Sequence, residues 1–151
     1  MKIIYNSIVL IVASSLFFSC SKSTVKNINT NSCTLDFSNI AGSFKISSKT
    51  FQYNSQSPVQ DVYATWSPCK QDDIWNYNFD SSITFVDQIV CSPSQLPPFN
   101  KWEFRDNTIY FKDAGGSYLD GYQIIEFSCS TMKCQQIDNL GSVTTTIFTR
   151  Q

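Results

Sequence analysis

From Ile40 onward, apolar and polar residues alternate in short runs with a period of two, the spacing of half-buried strands rather than of helices. In residues 101–105, Trp102 and Phe104 alternate with Lys101, Glu103 and Arg105. In residues 74–80, Trp75, Tyr77 and Phe79 share one face, with Asn76, Asn78 and Asp80 opposite. The same pattern predicts strands over residues 43–52, 60–66, 83–90, 108–112, 122–128, 133–137 and 143–150. Turn chemistry separates them at Asp80-Ser81-Ser82, Asp106-Asn107, Asp113-Ala114-Gly115-Gly116 and Asp138-Asn139-Leu140-Gly141. The longest loop, residues 92–100, holds Pro93, Pro97 and Pro98, which exclude a central strand. No sustained helical stripe follows Cys20. The expected fold is therefore all-β, a small antiparallel up-and-down barrel of about eight or nine strands, with a sandwich as the alternative.

The start of the chain has a different character. Met1-Lys2 gives a short positive start, and residues 8–18 form an apolar run broken only by Ser14 and Ser15. That run is too short to span a bilayer, which needs about 20 apolar residues, and it matches the apolar region of a secretory signal. Leu16-Phe17-Phe18-Ser19-Cys20 resembles the lipobox of bacterial lipoproteins. Phe17 and Phe18 depart from the usual Leu and small residue, as in the looser lipoboxes of Bacteroidetes. The resemblance implies cleavage before Cys20 and acylation of its thiol, so that membrane lipid holds the protein through Cys20. An ordinary secretory cleavage nearby is the alternative. Residues 21–32 are polar and Asn/Ser/Thr-rich, which cannot support a core and reads as a tether. The expected organisation is a signal peptide over 1–19, a lipidated flexible segment over 20–38 and a barrel over 39–151.

Charge removes one class of partner. The chain has 11 basic and 12 acidic residues, and loss of Lys2 would leave ten against twelve, with no run of like charge. Nucleic-acid binding is not expected of such a chain.

Six cysteines in an exported chain favour disulfides over metal ligation. Histidine is absent and no Cys-x-x-Cys occurs, so the common zinc patterns cannot be built. With Cys20 lipidated, five remain. Cys69 and Cys91 are equidistant from Asp80, so an antiparallel hairpin brings them together at its open end. Cys129 and Cys134 form a second expected pair, across a short hairpin. Cys33 is then free, or replaces one partner of that second pair.

Cys69-Lys70-Gln71-Asp72-Asp73, the aromatic alternation to Phe79, the Asp80-Ser81-Ser82 turn and Cys91 resemble the lipocalin-like lipoproteins of Bacteroidetes. Trp102 in a later strand and Arg150 in the last one fit the same pattern, which covers residues 40–151. Two departures stand out: Gly42-Ser43-Phe44 where lipocalins carry Gly-x-Trp, and Ser81 in place of the turn glycine. The resemblance implies a small barrel with an internal cavity, and it implies no particular activity.

Catalysis finds little support in these residues. Without histidine, no Ser-His-Asp or Cys-His arrangement exists. Glu103 and Glu126, the only glutamates, sit in alternating segments and read as solvated-face residues. Asp72 and Asp73 are adjacent, and in a strand they would point to opposite faces. A strand-start role is favoured for them over a calcium site, and the 113–121 loop does not match an EF-hand. Neither a metal nor a cofactor is expected.

Aromatic residues make up 15% of the chain, and Trp75, Tyr77, Phe79, Phe85, Trp102, Phe104, Phe111 and Phe127 are spread over several strands. They either fill the barrel or line a cavity. The leading expectation is a non-enzymatic, lipid-anchored binding module of the cell envelope with a lipocalin-like barrel, its ligand either a small apolar molecule or unknown. The runner-up is a solid barrel that docks another envelope protein through the 92–100 and 113–121 loops, and a carboxylate-based glycan enzyme comes last. Ser21-Lys22-Ser23-Thr24 lacks an acidic export cluster, which favours the periplasmic face of the outer membrane.

Overall fold

A computed structural model of the chain describes residues 33–91 and 97–151. The signal segment, Cys20, the tether at 21–32 and part of the 92–100 loop lie outside the described residues. Among the described residues the chain forms β1 (Gly42–Gln52), β2 (Gln60–Asp61), β3 (Ile74–Tyr77), β4 (Ile83–Val86), β5 (Lys101–Arg105), β6 (Thr108–Lys112), β7 (Tyr118–Phe127), β8 (Thr131–Ile137) and β9 (Val143–Arg150). Two single-turn helices, α1 (Phe37–Ile40) and α2 (Pro68–Gln71), flank β1 and β3.

The strands make one antiparallel sheet in the order β4-β3-β1-β9-β8-β7-β6-β5, with β2 attached to β1. Its two edges meet at the Ser82–Lys101 bridge. Ile83 N–H donates to the Asn100 carbonyl (2.9 Å) and Trp102 N–H to the Ser81 carbonyl (2.9 Å). The sheet thus curls into a nearly closed barrel, and apart from β2 each strand lies beside its successor until β9 returns to β1. This is the expected all-β, up-and-down architecture.

Such a meander sends alternate turns to opposite ends. One end holds the β3–β4, β5–β6 and β7–β8 turns, the start of β1 and the last residues of β9. Asp106 and Asn107, at φ 52° and 58°, make the two-residue turn that suits right-twisted strands. Helix α1 plugs this end, its start capped by the Asp36 carboxylate, which accepts from Asn39 N–H (2.8 Å). Arg150 closes it, donating to the carbonyls of Cys129 (2.9 Å), Ala41 (3.1 Å) and Asn39 and lying 4.6 Å over the Phe44 ring. The Phe44 ring face thus receives the cation at this end. At Gly42, φ is 141° and a Cβ would overlap the Arg150 guanidinium, so only glycine fits.

Several elements differ from their predicted extents. The strand expected over 60–66 stops at Asp61, whose carboxylate accepts from Ala64 N–H (3.0 Å) and draws Tyr63–Thr65 into a 3-10 turn. Pro68, in the first turn of α2, carries the chain on as helix. The strand expected over 83–90 stops at Val86. β7 begins at Tyr118, so the 113–121 loop shrinks to the turn that Asp113 closes by accepting from Ser117 N–H (2.9 Å). The folded body also starts before residue 39: Cys33 is bridged to Cys129, and Phe37 stacks on Trp102 at 4.6 Å.

Tyr77 offers a direct test of the core. It is 1% exposed, its hydroxyl has no hydrogen-bond partner, and burial raises its pKa well above the ordinary phenol value. A buried, unpaired hydroxyl costs about 1–3 kcal/mol. Tyr77→Phe is therefore expected to raise unfolding free energy by about 1 kcal/mol in urea titrations. A measured loss of stability would mean that the hydroxyl is satisfied.

Candidate functional site

The barrel interior was the first candidate, and aromatic rings occupy it. Of the eight aromatics expected either to fill the barrel or to line a cavity, Trp75, Tyr77, Trp102 and Phe111 are buried. They touch one another and other core rings. Trp75 meets Phe85, Phe99, Phe111 and Phe148 at centroid distances of 5.1–6.1 Å. Tyr77 meets Phe44, Trp102, Phe111 and Phe148 at 5.3–6.4 Å. Phe85, Phe104 and Phe127 are partly buried and pack against this core from its margin.

Phe79 does not belong to the interior. It is 70% exposed, because the strand ends at Tyr77 and Ser81 N–H turns back to the Asn78 carbonyl (3.1 Å). Alternation predicts a face only while the backbone stays extended. Conversely, Phe99 is buried and stacks on Phe111 at 4.3 Å, although it follows Pro98 in the loop before β5. Periodicity carries no signal there; a bulky ring in a proline-rich loop was the only hint.

One cysteine pair is as expected and the other is not. Cys69–Cys91 forms, with Cα atoms 5.4 Å apart. The expected Cys129–Cys134 bridge is replaced by Cys33–Cys129, with Cα atoms 5.3 Å apart. Cys129 lies in the β7–β8 turn, whereas Cys134 sits within β8 opposite Ile124 and Thr146 and is 1% exposed. Burial pushes its thiol pKa up to about 12, which makes it unreactive at neutral pH.

The glutamates are held in surface pairs. Glu103 accepts from Lys112 Nζ (2.5 Å) and Tyr118 OH (3.0 Å), which lower its pKa. Glu126 pairs with Lys133 (2.8 Å). A glycosidase acid needs the opposite shift for Glu103.

The second candidate is the open end, formed among the described residues by 53–59, 87–91, 97–100, 113–117 and 138–142. Ten large apolar residues are exposed among the described residues, and all but Phe79 lie at or beside this rim. Leu140 (80%), Val90 (75%) and Ile137 (66%) are the most exposed of these nine. A depression of about 210 Å³ between Asp120, Ile137, Asp138 and Thr144 opens on the same end. It falls below the roughly 300–1,000 Å³ typical of small-molecule sites.

The rim also carries acidic residues that the sequence separates. Asp72 and Asp73 link α2 to β3, and Asp87 follows β4. β3 and β4 pair Ile74 with Val86, so the next residues outward on the two strands are Asp73 and Asp87. One carboxylate oxygen from each of Asp72, Asp73 and Asp87 lies within 4.8 Å of the others. Burial, reinforced by Asp87 and Asp72, raises the Asp73 pKa above the usual carboxylate value. Adjacent aspartates diverge only within a strand, and here only Asp73 adjoins the strand while Asp72 sits at the end of α2, where backbone direction changes.

Fold and site together define a small, disulfide-bonded antiparallel barrel with an aromatic core, one plugged end and one apolar, acidic rim. No protein-family model matches the sequence, and no curated protein matches it.

Proposed function

We propose that this chain is a lipid-anchored, non-enzymatic module of the bacterial cell envelope, related to the lipocalin-like lipoproteins, that docks another envelope protein through the open rim of its barrel. One observation carries the reading: among the described residues, nine of the ten exposed large apolar side chains lie at or beside the end opposite Cys33, the end that would face away from a membrane tether. Clustered apolar exposure marks association surfaces. The packed aromatic interior favours this docking role over an internal small-molecule site, reversing the order expected from sequence. Paired glutamates and the absence of histidine support a role without catalysis. An anchor at Cys20 would hold the module at the periplasmic face of the outer membrane.

The test places a photo-crosslinking residue at Leu140, Tyr118 or Phe79 in the native envelope. A discrete adduct from the first two and none from Phe79 is expected, and Leu140→Asp should reduce the Tyr118 adduct. Equal adducts from all three positions, or none at the rim, would overturn the docking role. Saturable quenching of tryptophan fluorescence by a fatty-acid probe would return the function to the interior. Cys20→Ala should move the protein from the membrane to the soluble fraction, and continued sedimentation with membranes would exclude the lipid anchor.

A further inference from the structure

We propose that Asp72, Asp73 and Asp87 form a binding site for a calcium-class divalent cation at the open end of the barrel. Clustered acids alone would not carry this, since exposed carboxylates gather without a ligand. The independent observation is Asp72. It is 8% exposed, and neither carboxylate oxygen has a hydrogen-bond partner. Oδ1 of Asp87 is likewise buried and unpartnered. Buried ionised carboxylates persist only when paired, hydrogen-bonded or bound to a metal. None of the ion pairs among the described residues includes these three aspartates. Lys70, the basic residue beside them in sequence, places its Nζ 4.6 Å from the centre of the Trp66 ring.

Geometry and donor type then select the ion. Three oxygens within 4.8 Å of one another can share one centre, because calcium–oxygen distances of about 2.3–2.6 Å put opposite ligands about 5 Å apart. All three donors are hard carboxylates, and the neighbouring Cys69 and Cys91 sulfurs are bonded to each other, so no soft ligand is offered. That disulfide ties the chain just outside the cluster on both sides, holding Asp72–Asp73 and Asp87 together despite like charge. Calcium completes its shell with carbonyls and water, whereas magnesium demands a stricter octahedron. Asp72 has no open oxygen for a sugar to reach, so the cluster is not a glycosidase pair.

The experiment uses the full chain purified from membranes, stripped with chelator and titrated with calcium chloride while thermal unfolding is followed. A saturable rise in melting temperature is expected, reversed by chelator and not reproduced by equimolar magnesium. Asp87→Asn should weaken the calcium midpoint at least tenfold, whereas Asp106→Asn at the plugged end should leave it unchanged. Asp72→Asn should abolish the rise, and its melting temperature without calcium should equal or exceed that of the chelated wild type, because an unpartnered charge is gone. A folded wild type with no calcium response up to millimolar concentration would overturn the site. So would an Asp72→Asn variant that responds like wild type.

Discussion

Replacing Cys33 and Cys129 together by alanine is expected to lower unfolding free energy by about 4–5 kcal/mol, following the chain-entropy account of long disulfide loops. The bridge joins residues 96 apart and ties the segment before α1 to the β7–β8 turn. Cutting it frees the unfolded chain far more than it disturbs the folded one. The Arg150 guanidinium still meets the Cys129 backbone carbonyl, and Phe37 still stacks on Trp102. The predicted fall in melting temperature is about 15–20 °C, at roughly 4 °C per kcal/mol for a domain of this size. Removing Cys69 and Cys91, which are 22 residues apart, should cost about 1.3 kcal/mol less by loop length alone. Calorimetry of both variants separates the accounts. Equal losses would show that native-state packing, not loop closure, sets the contribution.

Trp102→Ala should cost about 3–5 kcal/mol, the range for deleting a large buried aromatic. The residue is 1% exposed and stands on β5, where the barrel closes against the β3–β4 turn. Its ring lies between Phe37, stacked at 4.6 Å, and Tyr77, edge-on at 5.3 Å, and its Nε1–H donates to the Asn78 carbonyl (3.0 Å). Truncation therefore leaves a void, an unpaired carbonyl and a helix plug without its partner ring. Trp102→Phe keeps most of the bulk and loses the hydrogen bond, so a smaller loss of about 1–2 kcal/mol is expected. Urea unfolding of the two variants provides the measurement. If alanine costs no more than phenylalanine, the seam is not held by this side chain.

The strands were legible where alternation had a buried side to record. β5, β6 and β9 match their predicted extents, and Asp106-Asn107 turns where its chemistry allows positive φ. Cys69 and Cys91 were legible for the same reason, since a hairpin converts equal sequence spacing into proximity. Cys33 was not. Its partner lies 96 residues away, across a junction created only when β9 returns to β1 and brings the chain ends together. Phe79 was misread and Phe99 passed over because their burial depends on where the backbone turns, which alternation does not encode.

The candidate sites divide along the same line. By itself the sequence determined the all-β class, most of the strands and turns, one disulfide and the absence of histidine chemistry, all consequences of local spacing or composition. Only the tertiary structure decided that the rings meet across the barrel axis and that apolar residues from separate loops share one rim. It also decided that Asp72, Asp73 and Asp87 converge. These are contacts between segments distant in the chain, fixed by how the sheet closes on itself and by which end α1 plugs.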